Sequence, residues 1–358
     1  MSAAPQRLNK YELRTPIGRG SAGEVWKAYD LQQHTDVAIK LLHSDLQADP
    51  HFFTHFTVEG QAIASLQHDN IVKIHEINVA RPAQSNETIA YIAMDYIEGQ
   101  TLATYIHATS HKANFPTLPQ ITYLFTCLGK AIDYAHAQGL SHGDLKPSNI
   151  LLNARDRFQF EGGEPMLTDF ALANILGNNV TTASPIYMSP EQAQGQAAIP
   201  RSDIYTLGVI LYEFCTGVQP FRADSAVEIM KQHINVLPTP PVLINPHVPY
   251  ALSEVILRAM AKNPSTRFPS ASALATAVAD ACSLQSTNYA PSAQEFDDES
   301  DPQQNSSILG VAQPPASNPP RSPRPTHPIQ TRPLNIPASL SGLHSNSSEH
   351  TATQPTPP

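Results

Sequence analysis

Cysteine, positive charge and long apolar runs are all in short supply in this sequence. The three cysteines, Cys127, Cys215 and Cys282, are odd in number and far apart. This pattern argues against a disulfide framework or a zinc site and predicts buried structural thiols. With 22 Lys and Arg against 31 Asp and Glu, the net charge of −9 leaves no basic face for nucleic acid. Because no run approaches the roughly 18 apolar residues of a membrane span and the first residues lack a signal-peptide core, we expect a cytoplasmic protein.

The chain of 358 residues is long enough for a two-lobed domain and an additional segment. From residue 11 onward, short β-type runs between glycine-rich or polar breaks predict a five-stranded antiparallel sheet, with one helix over residues 50–67. After Gly99 the apolar residues recur every three or four positions, which predicts a mainly helical second lobe. Its helices are expected around Ile121 to Ala135 and at 202–216, 224–234, 250–261 and 270–283.

The end of the chain, over residues 286–358, is rich in Pro, Ser, Asn, Thr and Gln. It carries too few large apolar side chains to offset the entropy cost of ordering, which predicts a disordered tail. Its acidic run at 295–301 is expected to be a solvated stretch. An alternative role for the tail is a recruiting arm, because its Pro-rich stretches can adopt polyproline II and meet groove-type partners.

A glycine-rich loop lies between two predicted strands. Its residues are Ile17, Gly18, Arg19, Gly20, Ser21, Ala22, Gly23, Glu24 and Val25. Glycines let a hairpin lie close over phosphates and offer backbone N–H donors. The same spacing in a dinucleotide-binding fold would lead into a helix, whereas a strand-like run follows here. The loop therefore predicts a phosphate site, with a plain glycine hairpin as the alternative.

Lys40 ends an otherwise apolar strand, Val37 to Ile39. An unpaired buried ammonium costs several kcal/mol, so that Lys40 should face an acid or a phosphate. Glu59, in the helix predicted over 50–67, is the candidate partner. The alternative is that Glu59 is an ordinary exposed glutamate.

A polar loop with the sequence HGDLKPSN occupies residues 142–149. A carboxylate and an amide on one loop can serve two ends of a phosphoryl transfer. Asp144 would orient the attacking hydroxyl and take up its proton, Asn149 would hold Mg²⁺, and Lys146 would place a cation near the γ-phosphate. Asp169, further along the chain, would supply a second metal ligand.

Taken together, residues 11–283 resemble the eukaryotic-like protein Ser/Thr kinases, and most closely their bacterial branch, in stretches such as IYMSPEQAQG and DIYTLGVILYEFCTG. The resemblance implies a bilobal α+β protein-kinase fold with an N-terminal lobe over 11–94, a hinge over 95–99 and a C-terminal lobe over 100–283. It implies transfer of the γ-phosphoryl group of Mg-ATP, with Mn²⁺ as a substitute metal, to Ser or Thr hydroxyls of protein substrates. Autophosphorylation within a homodimer belongs to the same expectation.

The same resemblance assigns roles to single residues. Lys40 and Glu59 match the strand lysine and the helix glutamate that pair in the family. The hinge would bind adenine through the backbone between Asp95 and Ile97. Further positions match the family as follows: Ala38 and Met94 (the gatekeeper) at the nucleotide, Asp144 and Lys146 in the catalytic loop, Asn149 and Asp169 at the metal, and Glu191, Asp203 and Arg267 as structural residues.

The sequence departs from the family pattern at a few places. Gly143 replaces an arginine that in many relatives grips a phosphate on the activation loop, and Ala171 replaces the glycine of the D-F-G motif. Ser184 replaces a threonine, and we expect its hydroxyl to keep a contact with Asp144 and Lys146. The loop between Asn153 and Met166 is longer than a short hairpin.

Because no guanidinium is available at Gly143, phosphorylation of Thr181 or Thr182 has little to pair with. We therefore expect phosphatase treatment to leave most of the phosphoryl-transfer activity in place. The measurement compares treated and untreated protein at equal concentration. Loss of nearly all activity would contradict the expectation.

Two other functions fit this pattern less well. A pseudokinase scaffold would bind ATP or partners without transfer, but it has no physical need for Lys40, Asp144, Asn149 and Asp169 together. A kinase of small molecules would lack the Ser-Pro-Glu segment at 189–191 and its protein-docking platform. Both are less favoured than protein phosphorylation.

Overall fold

The structure is a computed structural model that describes residues 7–20, 22–42, 52–80, 88–155, 159–170 and 184–283. The predicted tail over 286–358 lies outside these residues, as do Ser21, Ala171, Thr181 and Thr182. The described chain begins with strands and continues mainly with helices, as the sequence predicts.

The first lobe is an antiparallel sheet with one helix in the described residues. Its strands are β1 (Arg7–Leu8), β2 (Tyr11–Gly20), β3 (Gly23–Asp30), β4 (Thr35–Leu42), β5 (Ile74–Ala80) and β6 (Ile89–Asp95), and α1 spans Phe52–Ala64. The spatial order is β1-β2-β3-β4-β6-β5, with α1 packed on β5. The predicted number of five strands is wrong, because Leu8 pairs with Tyr11 across a turn at Asn9, which has φ +51. A two-residue strand is too short to show a period in the sequence.

The second lobe is mainly helical and carries a small sheet. The sheet is β7 (Gly99–Thr101), β8 (Ile150–Asn153) and β9 (Glu164–Leu167). The helices are α2 (Leu102–Ser110), α3 (Leu118–Ala137), α4 (Pro190–Ala193), α5 (Pro200–Thr216), α6 (Ala226–Asn235), α7 (Pro241–Ile244), α8 (Tyr250–Ala259) and α9 (Ala271–Ser283). The five helices expected in this lobe are present with small shifts at their ends. Helices α2, α4 and α7 were not predicted, and two of them have only four residues.

Helix α5 is the centre of the second lobe, since its residues from Ser202 to Tyr212 are buried. It packs against α8, and α3 packs along α9. A helix that is buried on every side can hold polar groups only if they are paired. Asp203, at the start of α5, meets this condition because its carboxylate is paired with backbone N–H groups of the loop over residues 142–149.

The long loop after β8 has a packing role. Phe160 is buried, and its ring lies 5.0 Å from the ring of Tyr105 on α2 and 6.2 Å from that of Phe214 on α5. The extra residues therefore carry an aromatic side chain back into the core between two helices.

Cys215 and Cys282 are buried and Cys127 is half-buried, and all three are free thiols. Burial raises the pKa of each thiol. The expectation of buried structural thiols is confirmed for Cys215 and Cys282. Of the helices in the described part of the chain, none has the length and apolar character needed to cross a membrane.

Candidate active site

The loop over residues 142–149 is held in place by Asp203 at the start of α5. The carboxylate of Asp203 accepts hydrogen bonds from the backbone N–H of His142 at 2.8 Å and of Gly143 at 3.0 Å. It also lies 2.8 Å from Nε2 of His136. Gly143 has φ +76, a conformation that glycine adopts without strain. These bonds confirm the structural role that the family resemblance implies for Asp203.

His142 connects this loop to the segment that ends in Phe170. The His142 ring is buried, and its Nε2 lies 3.0 Å from the carbonyl oxygen of Thr168. A carbonyl can only accept, so that Nε2 carries the hydrogen and Nδ1 accepts the N–H of Asp144 at 3.4 Å. The ring also lies 4.5 Å from the ring of Phe170. Burial lowers the pKa of His142, which keeps the imidazole neutral in this role.

Asp144 has one carboxylate oxygen bound and one free within the described residues. Oδ2 accepts from Nζ of Lys146 at 2.6 Å and from Nδ2 of Asn149 at 3.4 Å. Oδ1 has no hydrogen-bond partner among the described side chains. Burial raises the pKa of Asp144, and the Lys146 ammonium opposes that shift only in part. The carboxylate is thus oriented by its neighbours and keeps one oxygen for an incoming hydroxyl.

The amide of Asn149 points its nitrogen towards Asp144. Nδ2 donates to the backbone carbonyl of Asp144 at 2.8 Å. This bond fixes the amide and leaves Oδ1 without a partner in the described part of the chain. An amide oxygen together with the Asp169 carboxylate forms a set of hard oxygen donors, which suits Mg²⁺. The side chains present therefore fit the predicted metal.

Asp169 and Lys40 form an ion pair at the end of the site. Nζ of Lys40 lies 2.7 Å from Oδ2 of Asp169, and Lys40 is buried. Burial alone would raise the pKa of Asp169, but the Lys40 ammonium and smaller contributions from neighbouring residues together outweigh it, and the net shift is downward. Asp169 has φ +64, an uncommon conformation for a residue with a Cβ. Strained backbone of this kind concentrates at functional sites.

A cavity of about 480 Å³ lies between the strands of the first lobe and the catalytic loop of the second. Its lining includes Ile17, Val25, Ala38, Met94, Ile97 and Asp169. This volume lies in the range of small-molecule sites, which are mainly apolar with a few polar groups. The backbone N–H of Ile97 has no partner among the described residues, so that a donor for an adenine ring is available at the predicted hinge.

The glycine-rich loop is the hairpin of β2 and β3 at the rim of this cavity. Gly18 pairs with Val25 and Gly20 with Gly23. At Gly23 a Cβ would meet the carbonyl oxygen of Leu41 at 1.9 Å, so that packing alone requires glycine there. At Gly20 a Cβ would meet nothing within 4 Å. Glycine at that position is therefore not needed by the described fold, and a ligand that approaches the backbone explains it better.

The protein kinase domain family matches residues 11–278. The chain belongs to the protein kinase family. The serine/threonine-protein kinase PknB of Mycolicibacterium smegmatis is 36% identical over 277 residues, which cover 75% of this chain and 42% of that protein. PknB of Mycobacterium leprae is 34% identical over 279 residues, or 76% of this chain and 43% of the relative. The chain thus spans about four tenths of the length of these curated relatives.

A solved structure with the same fold is the kinase domain of Mycobacterium tuberculosis PknI. It has a TM-score of 0.63 and 24% sequence identity, and covers 79% of this chain and 100% of that chain. At this identity the comparison supports the fold alone. The predicted bilobal α+β kinase fold and the assignment to the bacterial eukaryotic-like branch are confirmed.

The kinase site brings together Lys40, Asp144, Lys146, Asn149 and Asp169, all of which the sequence analysis named. The predicted partner of Lys40, Glu59, is on α1, but its side chain lies outside the described residues, and in the structure Lys40 contacts Asp169. Arg19 and Glu24 of the loop pair with each other at 3.5 Å. Their roles at the nucleotide remain predictions.

One expected contact is not found. Within the described residues Ser184 makes no side-chain hydrogen bond to Asp144 or Lys146; its carbonyl accepts the N–H of Tyr187 at 2.9 Å. The Lys146 ammonium, which has three N–H donors, contacts the Asp144 carboxylate instead.

Sequence reasoning also missed residues around the site. The motif contains His142 but gives it no role, although the hydrogen bonds of its imidazole ring tie the catalytic loop to Thr168. His233 and Glu213 fall in predicted helices, where nothing in the sequence separates them from ordinary helix residues.

Proposed function

We propose that this chain is a protein Ser/Thr kinase, which transfers the γ-phosphoryl group of ATP to serine or threonine hydroxyls of proteins, including its own. The observation that carries the proposal is Oδ1 of Asp144, which has no partner among the described side chains. The other oxygen of this carboxylate is held by Lys146 and Asn149, and Ser148 of the same loop lines the cavity of about 480 Å³. A scaffold protein would gain nothing from a mostly buried carboxylate that has one oxygen without a partner in the described part of the chain.

Each residue then has a task that its contacts support. Asp144 accepts the hydrogen bond of the substrate hydroxyl, orients it and takes up its proton. Lys146 holds that carboxylate in place and adds a positive charge beside the transferred group. Lys40 offers its ammonium to the nucleotide phosphates, and the glycine-rich loop offers backbone N–H groups.

Asn149 and Asp169 would hold a divalent metal. When bound, Mg²⁺ supplies positive charge that neutralises the phosphate oxygens in the transition state. We propose Mg²⁺ as the natural metal and Mn²⁺ as a substitute. Lys40 keeps Asp169 ionised by lowering its pKa, and ionised carboxylate is the form that a metal requires.

Domain limits, location and oligomeric state are also predicted from the sequence. We propose domain limits of 11–283 with a separate tail over 286–358, a cytoplasmic location, and a transient homodimer for autophosphorylation. Cell fractionation and sedimentation at several protein concentrations would test the last two points.

The proposed function is tested by incubating the protein with labelled ATP and Mg²⁺, alone and with histone as an acceptor, followed by phosphoamino acid analysis. We expect phosphoserine or phosphothreonine in both samples and none with the Asp144→Ala variant. Measured ATP binding without any transfer would contradict the proposal and favour a pseudokinase.

A further inference from the structure

The segment over Ser184–Met188 contacts α6 through the backbone of Ile186. It leads into α4, where Nε2 of Gln192 donates to the carbonyl of Gly143 at 2.8 Å, next to Asp144. Residues 184–187 are half-buried, so that one side of the segment remains open to a partner. Because α4 follows the segment directly and contacts the residue before Asp144, we expect a protein substrate whose hydroxyl reaches the Asp144 carboxylate to meet this segment.

The backbone of this segment is fixed from inside the lobe. Nε2 of His233 on α6 donates to the carbonyl of Ile186 at 2.9 Å, and Thr206 Oγ1 donates to the carbonyl of Tyr187 at 2.9 Å. Among the described residues, His233 is the donor that reaches Ile186. The Tyr187 hydroxyl is bound to Glu213 at 2.6 Å, which holds the side chain as well.

His233 is fully buried, and both of its ring nitrogens are used. Because the Ile186 carbonyl can only accept, Nε2 carries the hydrogen and Nδ1 accepts the hydroxyl of Tyr205 at 2.8 Å. Lys262 donates to the backbone carbonyl of His233 at 2.7 Å. Burial, assisted by the Lys262 ammonium, lowers the pKa of His233 to about 4. The imidazole is therefore neutral near pH 7 and keeps the tautomer that Ile186 requires.

A purely packing role does not require this histidine. The His233 ring stands edge-on to the ring of Phe221 at 4.8 Å, a contact that an apolar side chain could also make. Burying an imidazole is costly unless both nitrogens are satisfied, and here one of the two bonds goes to the Ser184–Met188 segment. The polar side chain thus links α6 to the backbone at Ile186.

We propose that His233 is a positioning residue for the protein substrate: by holding the Ile186 carbonyl it fixes the backbone on which the chain next to the phosphorylated hydroxyl docks. The inference rests on the proposed kinase function. His233 acts through Ile186 and touches neither ATP nor the transferred group.

Three variants separate the bond to Ile186 from packing. His233→Gln extends an amide far enough to donate to Ile186, His233→Asn can reach only the side of Tyr205, and His233→Leu removes both bonds. With histone as acceptor, we expect the KM for histone to rise about tenfold in the Asn and Leu variants, as for one lost hydrogen bond, and to stay near wild type in the Gln variant. The KM for ATP stays unchanged in all three. His247→Gln, at an exposed histidine of the same lobe, serves as the matched control and leaves both constants unchanged.

The outcomes are distinguishable. An active wild type whose Asn and Gln variants show the same KM for histone would overturn the role of His233 and leave the kinase function standing. Equal losses of kcat in the three His233 variants, with the KM for histone unchanged, would likewise assign His233 to folding alone. A wild-type chain that binds ATP and transfers no phosphate would overturn the proposed function and this inference with it.

Discussion

Replacement of Asp144 by asparagine is expected to lower kcat for phosphoryl transfer about a thousandfold, the middle of the range for a positioned general base. The asparagine keeps the shape of the side chain and can still accept from Lys146, as the Asp144 carboxylate does at 2.6 Å. It cannot take up the proton of the substrate hydroxyl. The KM for ATP should stay within about twofold of wild type, because Asp144 does not line the nucleotide cavity.

The pH dependence of the phosphoryl-transfer rate tests the role of Asp144 independently. Burial raises the pKa of Asp144, and only the ionised carboxylate can accept the proton. The rate should therefore fall as pH is lowered through this raised pKa, and the acidic limb should be absent from the asparagine variant. A variant that keeps more than about a tenth of kcat, or the same acidic limb as wild type, would remove Asp144 from its proposed role.

The sequence predicted the catalytic loop well because its parts are contiguous. Asp144, Lys146 and Asn149 share one loop, and their mutual hydrogen bonds follow from local chain geometry. The helices of the second lobe were predicted because each buries one stripe with a regular period. A strand of two residues, β1, gives no such period, and its pairing depends on a turn at Asn9.

Contacts between distant parts of the chain were harder to predict. Lys40 required an acidic partner, and among the described side chains the fold brings Asp169 to it, at a residue with a positive φ. Likewise, nothing local marks Phe160 as a core residue or His233 as a partner of Ile186. These assignments depend on which elements the topology brings together, and a single sequence contains no direct record of that.

Removal of the Arg267 side chain has the largest expected effect on stability. The guanidinium is buried and makes a two-pronged contact with Glu191, from Nη1 to Oε1 at 2.8 Å and from Nη2 to Oε2 at 2.9 Å. Its remaining N–H groups donate to the backbone carbonyls of Arg201, Ala261 and Lys262. Arg267→Met would leave the buried Glu191 carboxylate without its cation and would remove a donor from each of these carbonyls. We expect a loss of about 3–5 kcal/mol in the free energy of unfolding, measured as a fall in Tm of about 10 °C.

The control is the exposed ion pair of Arg155 and Glu98, whose atoms lie 3.9 Å apart. Arg155→Met should change stability by less than about 1 kcal/mol, because water screens an exposed pair.

The pH dependence of the free energy of unfolding tests the Glu191–Arg267 pair in a second way. Burial alone would raise the pKa of Glu191, but its bonds to Arg267 and Ser202 lower it below the ordinary 4.5. The pair's contribution is thus fully present above pH 4.5 and is lost as pH falls through the lowered pKa.

The double variant Glu191→Leu with Arg267→Met decides between two accounts of the pair. If most of the single-variant loss comes from leaving one buried charge without its partner, the double variant should be more stable than the sum of the two single losses predicts. Additive losses would mean that Glu191 and Arg267 stabilise the lobe separately, through Ser202 and the backbone carbonyls. In that case the ion pair would not be what joins the segment over 184–191 to the helices behind it.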